Sequence, residues 1–396
     1  MSDLTCIIIG GGYAGLGALY QLQSATREME NGRRIRFVLV DKQPGHLRKL
    51  RLFRPTTVEE EIVIPWSDLN IGGFEFVQGT VTSVESEKKR VQYSDVQGND
   101  ACIRYDLLVV TVGSMVRRPD HDQGGIALTD PETVAAIREG WQDNLRKAAE
   151  ETNPVAQKRL MTVAVAGAGI SGIETSAELA LSMRKEATAL GVNASDISVY
   201  LLNAKERLLP EVSEKFRRKL CHEIAECGVS VLNNCKALRE EGGVVTLNNG
   251  ASLEVGLLIW MFGLDPNPGL RNMGLPLTLD GHVLVDESYR VSGAPGVYSN
   301  GDCAKIIDSK TGKSEQKTCF EAGIQAIRLG KIVKADLEGR PAPIHKASKS
   351  NFDAYTIGLG QKGVVWLRKW GLDVVITGKI PGRIKKMIED KASYLR

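Results

Sequence analysis

Long apolar runs, closely paired cysteines, clustered histidines and a strong net charge are all missing from this 396-residue chain. Leu4–Tyr20 is an uncharged stretch of 17 residues, but it holds Gly10, Gly11, Gly12, Gly15 and Gly17. A strand, turn and helix suit it better than a membrane span, and no other uncharged run reaches the ~18 apolar residues a span needs. The Met1-Ser2-Asp3 start carries an acid where a secretion signal carries Lys or Arg, so a cytoplasmic location is expected. Seven cysteines, scattered and without a CxxC spacing, suit a reducing compartment. Five dispersed histidines add no zinc spacing, and no metal site is expected. The net charge of +3 is too small to imply nucleic acid.

What is present in excess is glycine, 41 residues of 396. Without low complexity, such an excess marks tight turns where backbone approaches something closely. The length predicts two to three domains. Basicity is concentrated at the end: residues 362–396 carry nine Lys or Arg against three Asp or Glu.

The apolar pattern predicts strands at Thr5–Ile9, Ile35–Val40 and Leu107–Val112, with separate strand-like pieces at 74–77, 80–85, 89–94 and 101–105 forming a small antiparallel meander. Residues 131–159 read as one or two polar helices. The opening pattern then restarts at Thr162–Ala166 with another glycine turn and helix, 157 residues after the first. Further strands are expected at 197–202, 229–232, 244–247 and 257–262, and helices at 214–227 and about 318–337.

Gly10, Gly12 and Gly15 form a GxGxxG between strand and helix. The first glycine permits the turn, the second lets a pyrophosphate approach the backbone, and the third lets helix pack on strand. Asp41 ends the next strand, where an acid can bind ribose hydroxyls. Gly167, Gly169 and Gly172 repeat the motif in the same context. The strand after this second turn ends at neutral Asn203, with Lys205 and Arg207 beyond. An acid there would select NAD, so its absence leaves both NADH and NADPH open.

GGGYAGL, TVGS (Thr111–Ser114), GAGISGIE, MFGLDPNP (Met261–Pro268) and NGDCA (Asn300–Ala304), in this order, resemble the two-dinucleotide-binding-domain flavoprotein reductases. The resemblance implies an α/β fold with two Rossmann-like domains. An FAD domain would comprise residues 1–125 and 281–345, an inserted NAD(P)H domain 126–280, and a small C-terminal region 346–396. It places Gly10, Gly12, Ala14, Gly15, Asp41, Lys42, His46, Val81, Thr111, Gly113 and Asp302 around FAD. Gly167, Gly169, Gly172, Asn203 and Gly263 would lie around NAD(P)H. Asp302 matches the acid that hydrogen-bonds the ribityl chain. Glu174, on the first turn of the second helix, matches a residue that positions the nicotinamide carboxamide and handles protons; a favourable charge at a helix N-terminus is the plain alternative. Lys317 is the candidate cation beside the flavin, against a solvated loop lysine.

Cys221 and Cys227 lie on one helix and point to different faces, so a redox pair is not evident. Cys303 and Cys319 could approach in space, though ordinary buried cysteines are the simpler reading. Without a disulfide relay, electrons should leave the flavin for a diffusible acceptor. The tail favours one class. Trp366, Leu367, Trp370 and Leu372 precede Ile380, Ile384, Met387 and Ile388 on one helical face, with cations opposite. This suits an interfacial anchor at a membrane surface or a helix packed on the body or a second subunit. It is similar to the tails of type II NADH:quinone oxidoreductases and their apoptosis-inducing-factor-like relatives, which implies a quinone-like acceptor. Cys319-Phe320 departs from the Ala-Gln of the former; Lys317 is closer to the latter. Two other readings remain: reduction of an acidic protein partner through Arg48, Lys49, Arg51 and Arg54, or a slow redox sensor acting by interaction.

Overall fold

The computed structural model describes residues 4–27, 34–310, 312, 314, 317–346 and 352–394. The Met1-Ser2-Asp3 start lies outside them. Two parallel sheets dominate. The first runs in the order Val297–Ser299, Leu107–Val110, Leu4–Ile9, Ile35–Asp41, Glu75–Glu85, Arg90–Asp95, Asp100–Arg104. Its first five strands are mutually parallel and its last two pair antiparallel. The second is wholly parallel, in the order Ile126–Ala127, Leu257–Trp260, Thr162–Ala166, Ser198–Asn203, Val229–Asn233. In both, the central strand is an unbroken apolar run because it is covered on both faces: Cys6–Ile9 and all of Thr162–Ala166 are buried.

The pieces expected at 74–77 and 80–85 form one continuous strand, Glu75–Glu85. Gly79 marked a false break: its missing side chain is what lets the ring of Tyr93 lie across it, since a Cβ there would come within 2.7 Å of that ring. Residues 131–159 split into two helices, Pro131–Glu150 and Pro154–Leu160. Pro154 lacks an amide proton and forces its predecessor out of the helical region, while Asn153 caps the new start through its side chain.

A three-stranded antiparallel sheet, Phe352–Leu359, Lys362–Lys369 and Leu372–Gly378, and a helix, Lys379–Ala392, complete the described chain. One buried core joins Ile357, Val364 and Trp366 of this sheet to Ile173, Ala177 and Phe216 of the second unit and to Leu52 and Phe53 from the loop after Asp41. Trp141 adds a hydrogen bond from its indole to the carbonyl of Thr56. The C-terminal sheet and that loop are thus fixed against the helix that follows the second glycine turn.

Candidate functional site

The first turn is a cradle for a dinucleotide. Gly10 has φ +96°, and a Cβ would lie 2.7 Å from the carbonyl of Thr111; at Gly15 one would lie 1.8 Å from the carbonyl of Gly10. These two glycines are demanded by the fold itself. Nothing lies within 4 Å of where the Cβ atoms of Gly12 and Gly113 would stand, and of the two only Gly113, at φ +67°, has a backbone reason to be glycine. Thr111 braces the turn, its hydroxyl donating to the carbonyls of Ile9 and Gly10. Asp41 closes it from the other side, accepting from the amides of Gly11 (2.6 Å) and Gln43 (2.7 Å). Ala14 packs beneath Gly301, and Lys42 is exposed at the rim. Val81 turns its side chain into the core beside the sheet, which leaves only its main chain for a ligand.

His46 is fully buried, 2.9 Å from the carbonyl of Gly11 through Nδ1. A carbonyl only accepts, so Nδ1 carries the proton and Nε2 is a bare acceptor, without a partner among the described residues. Burial, opposed in part by that hydrogen bond, lowers its pKa to about 4, so the ring is neutral at pH 7. Asn300 is likewise buried with both amide atoms unpartnered, next to Gly301 and Asp302. Asp302 accepts from the Ser114 hydroxyl at 2.7 Å. Lys49, which the sequence reading used only as one of several surface cations, donates to the Ser114 carbonyl at 3.0 Å. Crowding by surrounding protein lowers its pKa, and the nearby Asp302 charge opposes that.

The second cradle repeats the first. Gly167 has φ +132°, a Cβ on Gly172 would lie 1.8 Å from the Gly167 carbonyl, and Gly169 and Gly263 face open space. Asn203 is buried at the end of its strand, donating to Asn233 (2.8 Å) and accepting from the Lys205 amide (3.2 Å). Lys205 and Arg207 are exposed.

Glu174, one turn into the second helix, is 2% exposed. Its carboxylate accepts from Lys385 Nζ at 2.9 Å and from the Gly358 amide at 2.8 Å, both from the C-terminal segment. Lys385 also lies 3.5 Å from Glu389. Two buried carboxylates therefore share one ammonium. Burial pushes both carboxyls up, more than Lys385 draws them down. Burial opposes the Lys385 charge too, yet Glu174 and Glu389 outweigh it and its pKa is raised. Arg51, 3.6 Å from Glu389, adds a second cation to the cluster, so burial is the leading cause that raises the two carboxyls. Neither Lys385 nor Gly358 was singled out from sequence for this contact; each lies more than 180 residues from Glu174.

The basic loop does not form a face for an acidic partner. Arg48 and Arg51 are buried, Arg48 pairing with Asp390, and Arg51 with Glu60 at 2.8 Å and Glu389 at 3.6 Å. Arg54 pairs with Glu60 and Glu178. Desolvated guanidinium groups need carboxylates, and the Glu59–Glu61 run and the final helix supply them. The final helix turns charged residues, not its apolar face, toward the protein. Lys385 and Glu389 face inward, whereas Ile380, Met387 and Ile388 are exposed. All seven cysteines are free.

On the other side of the first cradle, Asp302, Gly301 and Gln325 share a cavity of about 270 Å³ with His282, Lys305 and Lys317. Lys317 precedes Thr318, which caps the Cys319–Leu337 helix by accepting the Glu321 amide. Phe320, on its first turn, is 70% exposed.

Two glycine cradles, one on each of the two main sheets, are thus the centre of this chain's candidate site. The pyridine nucleotide-disulphide oxidoreductase family matches residues 4–348. The chain belongs to this family. It is 24% identical to a probable NADH dehydrogenase of Dictyostelium discoideum, over 66% of this chain and 59% of that protein. It is 22% identical to the type II NADH:quinone oxidoreductase of Haemophilus influenzae, over 88% of this chain and 85% of that one. Among solved structures, NDH2 of Plasmodium falciparum in complex with NADH superimposes with a TM-score of 0.78 at 18% identity, covering 99% of this chain and 96% of that one. The family has the α/β, doubly Rossmann-like architecture that the motif order implies.

Proposed function

We propose that the protein is an FAD-dependent NAD(P)H oxidoreductase that delivers two electrons to a quinone-like acceptor at a membrane surface. The observation that carries the reading is the pair of cradles, each with glycines kept open to a ligand, the second bearing a buried carboxylate at the start of its helix. The residues of the first cradle fit FAD: open space at Gly12 and Gly113, a bare imidazole nitrogen on His46, and the unpartnered Asn300 beside Asp302. FAD held by these residues would supply the hydride-accepting and two-electron-donating chemistry between nicotinamide and acceptor. Gly167, Gly169 and Gly172 receive the nicotinamide nucleotide, and Asn203 leaves room for either adenosine ribose. Glu174 orients the carboxamide and, with Lys385 and Glu389, stores a proton. The balance is NAD(P)H + H⁺ + quinone → NAD(P)⁺ + quinol, so a proton must be taken up from bulk.

The membrane reading rests on the C-terminal sheet. Trp366 and Val375 face the core, while Leu367, Leu372, Val374 and Ile376 are exposed. Trp370 is 77% exposed at the tip of a two-residue hairpin with φ +50°, beside Gly371 at +82°. A bulky residue in the left-handed region costs about 1–2 kcal/mol relative to Asn or Gly. Lys369 lies 4.3 Å from the Trp370 ring, and Lys379, Arg383, Lys386 and Lys391 follow. An apolar face rimmed by cations fits an anionic bilayer surface. Among the described residues no helix is long and apolar enough to cross a membrane.

Anaerobic stopped-flow mixing with NADH and NADPH tests the chemistry: flavin absorbance should bleach, and a short-chain quinone should restore it. A bleached flavin that quinone does not restore refutes the acceptor, and a preparation that takes up no flavin refutes the whole reading. Co-sedimentation with phosphatidylglycerol vesicles tests the surface. Failure to bind, together with a doubled mass in solution, would assign the apolar face to a second copy.

A further inference from the structure

His282 and Lys317 come from segments that meet only in the folded chain. His282 follows the Thr278–Gly281 turn, and Lys317 immediately precedes the cap of the Cys319–Leu337 helix. Lys317 Nζ lies 2.6 Å from His282 Nε2. An ammonium has only protons to give, so Nε2 must accept, and the imidazole is neutral with its proton on Nδ1. His282 is 7% exposed. Its Nδ1 lies 3.2 Å from Asp280 Oδ2 but out of line for a hydrogen bond. Asp280 is itself claimed by Lys305, whose Nζ is 3.1 Å from both of its oxygens. The imidazole is therefore faced by two ammonium groups and one carboxylate that is already paired, with Asp302 lining the same cavity. Burial first, then the Lys317 charge, lowers its pKa.

We propose that neutral His282 is a positioning residue that holds the Lys317 ammonium at the flavin cradle, and that protonation of His282 releases it. The proposal rests on the flavoprotein reading above. Protonated imidazole loses the lone pair that accepts from Lys317 and sets a like charge at hydrogen-bond distance. Lys317 is exposed and flexible, so its side chain swings to solvent rather than endure the repulsion. With the ammonium in place, negative charge on a bound cofactor is favoured; with it gone, that help is lost. A lysine fixed by a neutral histidine thus contributes its charge in neutral and alkaline solution and withdraws it in acid.

The first test needs neither flavin nor turnover. With ¹³C-labelled histidine, the five imidazoles are titrated by NMR in the full chain. In Lys317→Met the His282 titration should move up toward the ordinary imidazole value while the other four stay in place; an unmoved His282 overturns the proposal. The second test is the flavin midpoint potential against pH. The wild type should show an acid inflection as Lys317 is released. His282→Gln keeps an oxygen to accept from Lys317 and cannot ionise, so its inflection should vanish while its neutral-pH potential is retained. His282→Leu should have a lower potential than wild type at neutral and alkaline pH and converge with it in acid, where the wild type has also released Lys317. A Gln variant that keeps the inflection overturns the proposal, as does a Leu variant with wild-type potentials. A chain that shows the imidazole response yet takes up no flavin overturns the flavoprotein reading, and with it the role assigned to Lys317.

Discussion

Among the described residues, Lys385→Met removes the one ammonium in contact with Glu174 and leaves its carboxylate with the Gly358 amide. The pair is 2.9 Å apart with side chains 15% and 3% exposed, so almost no water can replace the lost charge. Breaking one side of such a buried pair costs roughly 3–5 kcal/mol. The remaining carboxyl has a way out, which is to bind a proton. Its pKa is already raised by burial and rises further without Lys385. A raised folded-state pKa means that stability is retained below the unfolded-state Glu value and lost as pH climbs through the folded value. The variant should therefore lie within about 1.5 kcal/mol of wild type at pH 5 and fall behind by about 3 kcal/mol or more at pH 8. Glu174→Gln in the same chain removes the orphaned charge, and the double variant should recover most of the loss and flatten the pH dependence. Urea unfolding followed by tryptophan fluorescence at the two pH values reads both quantities. An equal loss at pH 5 and pH 8, or no recovery in the double variant, would refute the reasoning that an uncompensated buried carboxylate is what the substitution creates.

Gly12→Val should leave the melting temperature of the flavin-free protein close to wild type and lower bound flavin per chain by more than about tenfold, because its Cβ meets nothing but ligand space; Gly15→Ala should instead fail to accumulate as soluble protein. Asn203→Asp places a carboxylate where a 2′-phosphate would come, so kcat/KM for NADPH should fall about tenfold, equivalent to ~1.4 kcal/mol, with NADH little changed in steady-state assays. Trp370→Asn relieves a side chain poorly suited to φ +50° and should raise stability by about 1 kcal/mol while weakening binding to phosphatidylglycerol vesicles about tenfold; equal vesicle binding would remove Trp370 from the contact.

The parts of this protein that were legible in sequence are those whose cause is local. A glycine that must admit a carbonyl 1.8 Å from its missing Cβ has to stand five residues after the turn that supplies the carbonyl, and Gly10–Gly15 and Gly167–Gly172 keep that spacing. Apolar runs covered on both faces are local in the same sense. The clamp on Glu174 is not, since Gly358 and Lys385 reach it through a sheet and helix whose docking depends on Trp366, Ile357 and Val364 meeting the second unit's core. The signs of Arg48, Arg51 and Arg54 were plain, but their direction was not. Glu60 is a near neighbour of Arg51 and Arg54 in sequence, but Asp390, Glu389 and Glu178 lie far along the chain, and only folding decides that the guanidinium groups turn inward to meet them. His282 carried no signal because its role depends on one lysine 35 residues away.

The final helix keeps the amphipathic pattern read from its sequence, and folding decides which of its faces meets the protein. Its apolar residues do share a face, and its charges do lie elsewhere, as for any amphipathic helix. An isolated helix would settle its apolar side on the protein. Here the protein surface beneath it is not apolar: it presents Arg48, Arg51 and Glu174, three buried charges that need partners more than they need hydrocarbon. Lys385, Glu389 and Asp390 meet that need, since unpaired buried charges cost several kcal/mol each whereas an exposed Ile or Met costs about 1.5–3. The buried charges around Glu174 thus dictate which way the helix faces, and the apolar side left over is continuous in sequence with the exposed strand Leu372–Gly378. One short segment clamps buried Glu174 from within and leaves an apolar face outside, and the first arrangement is the physical reason for the second.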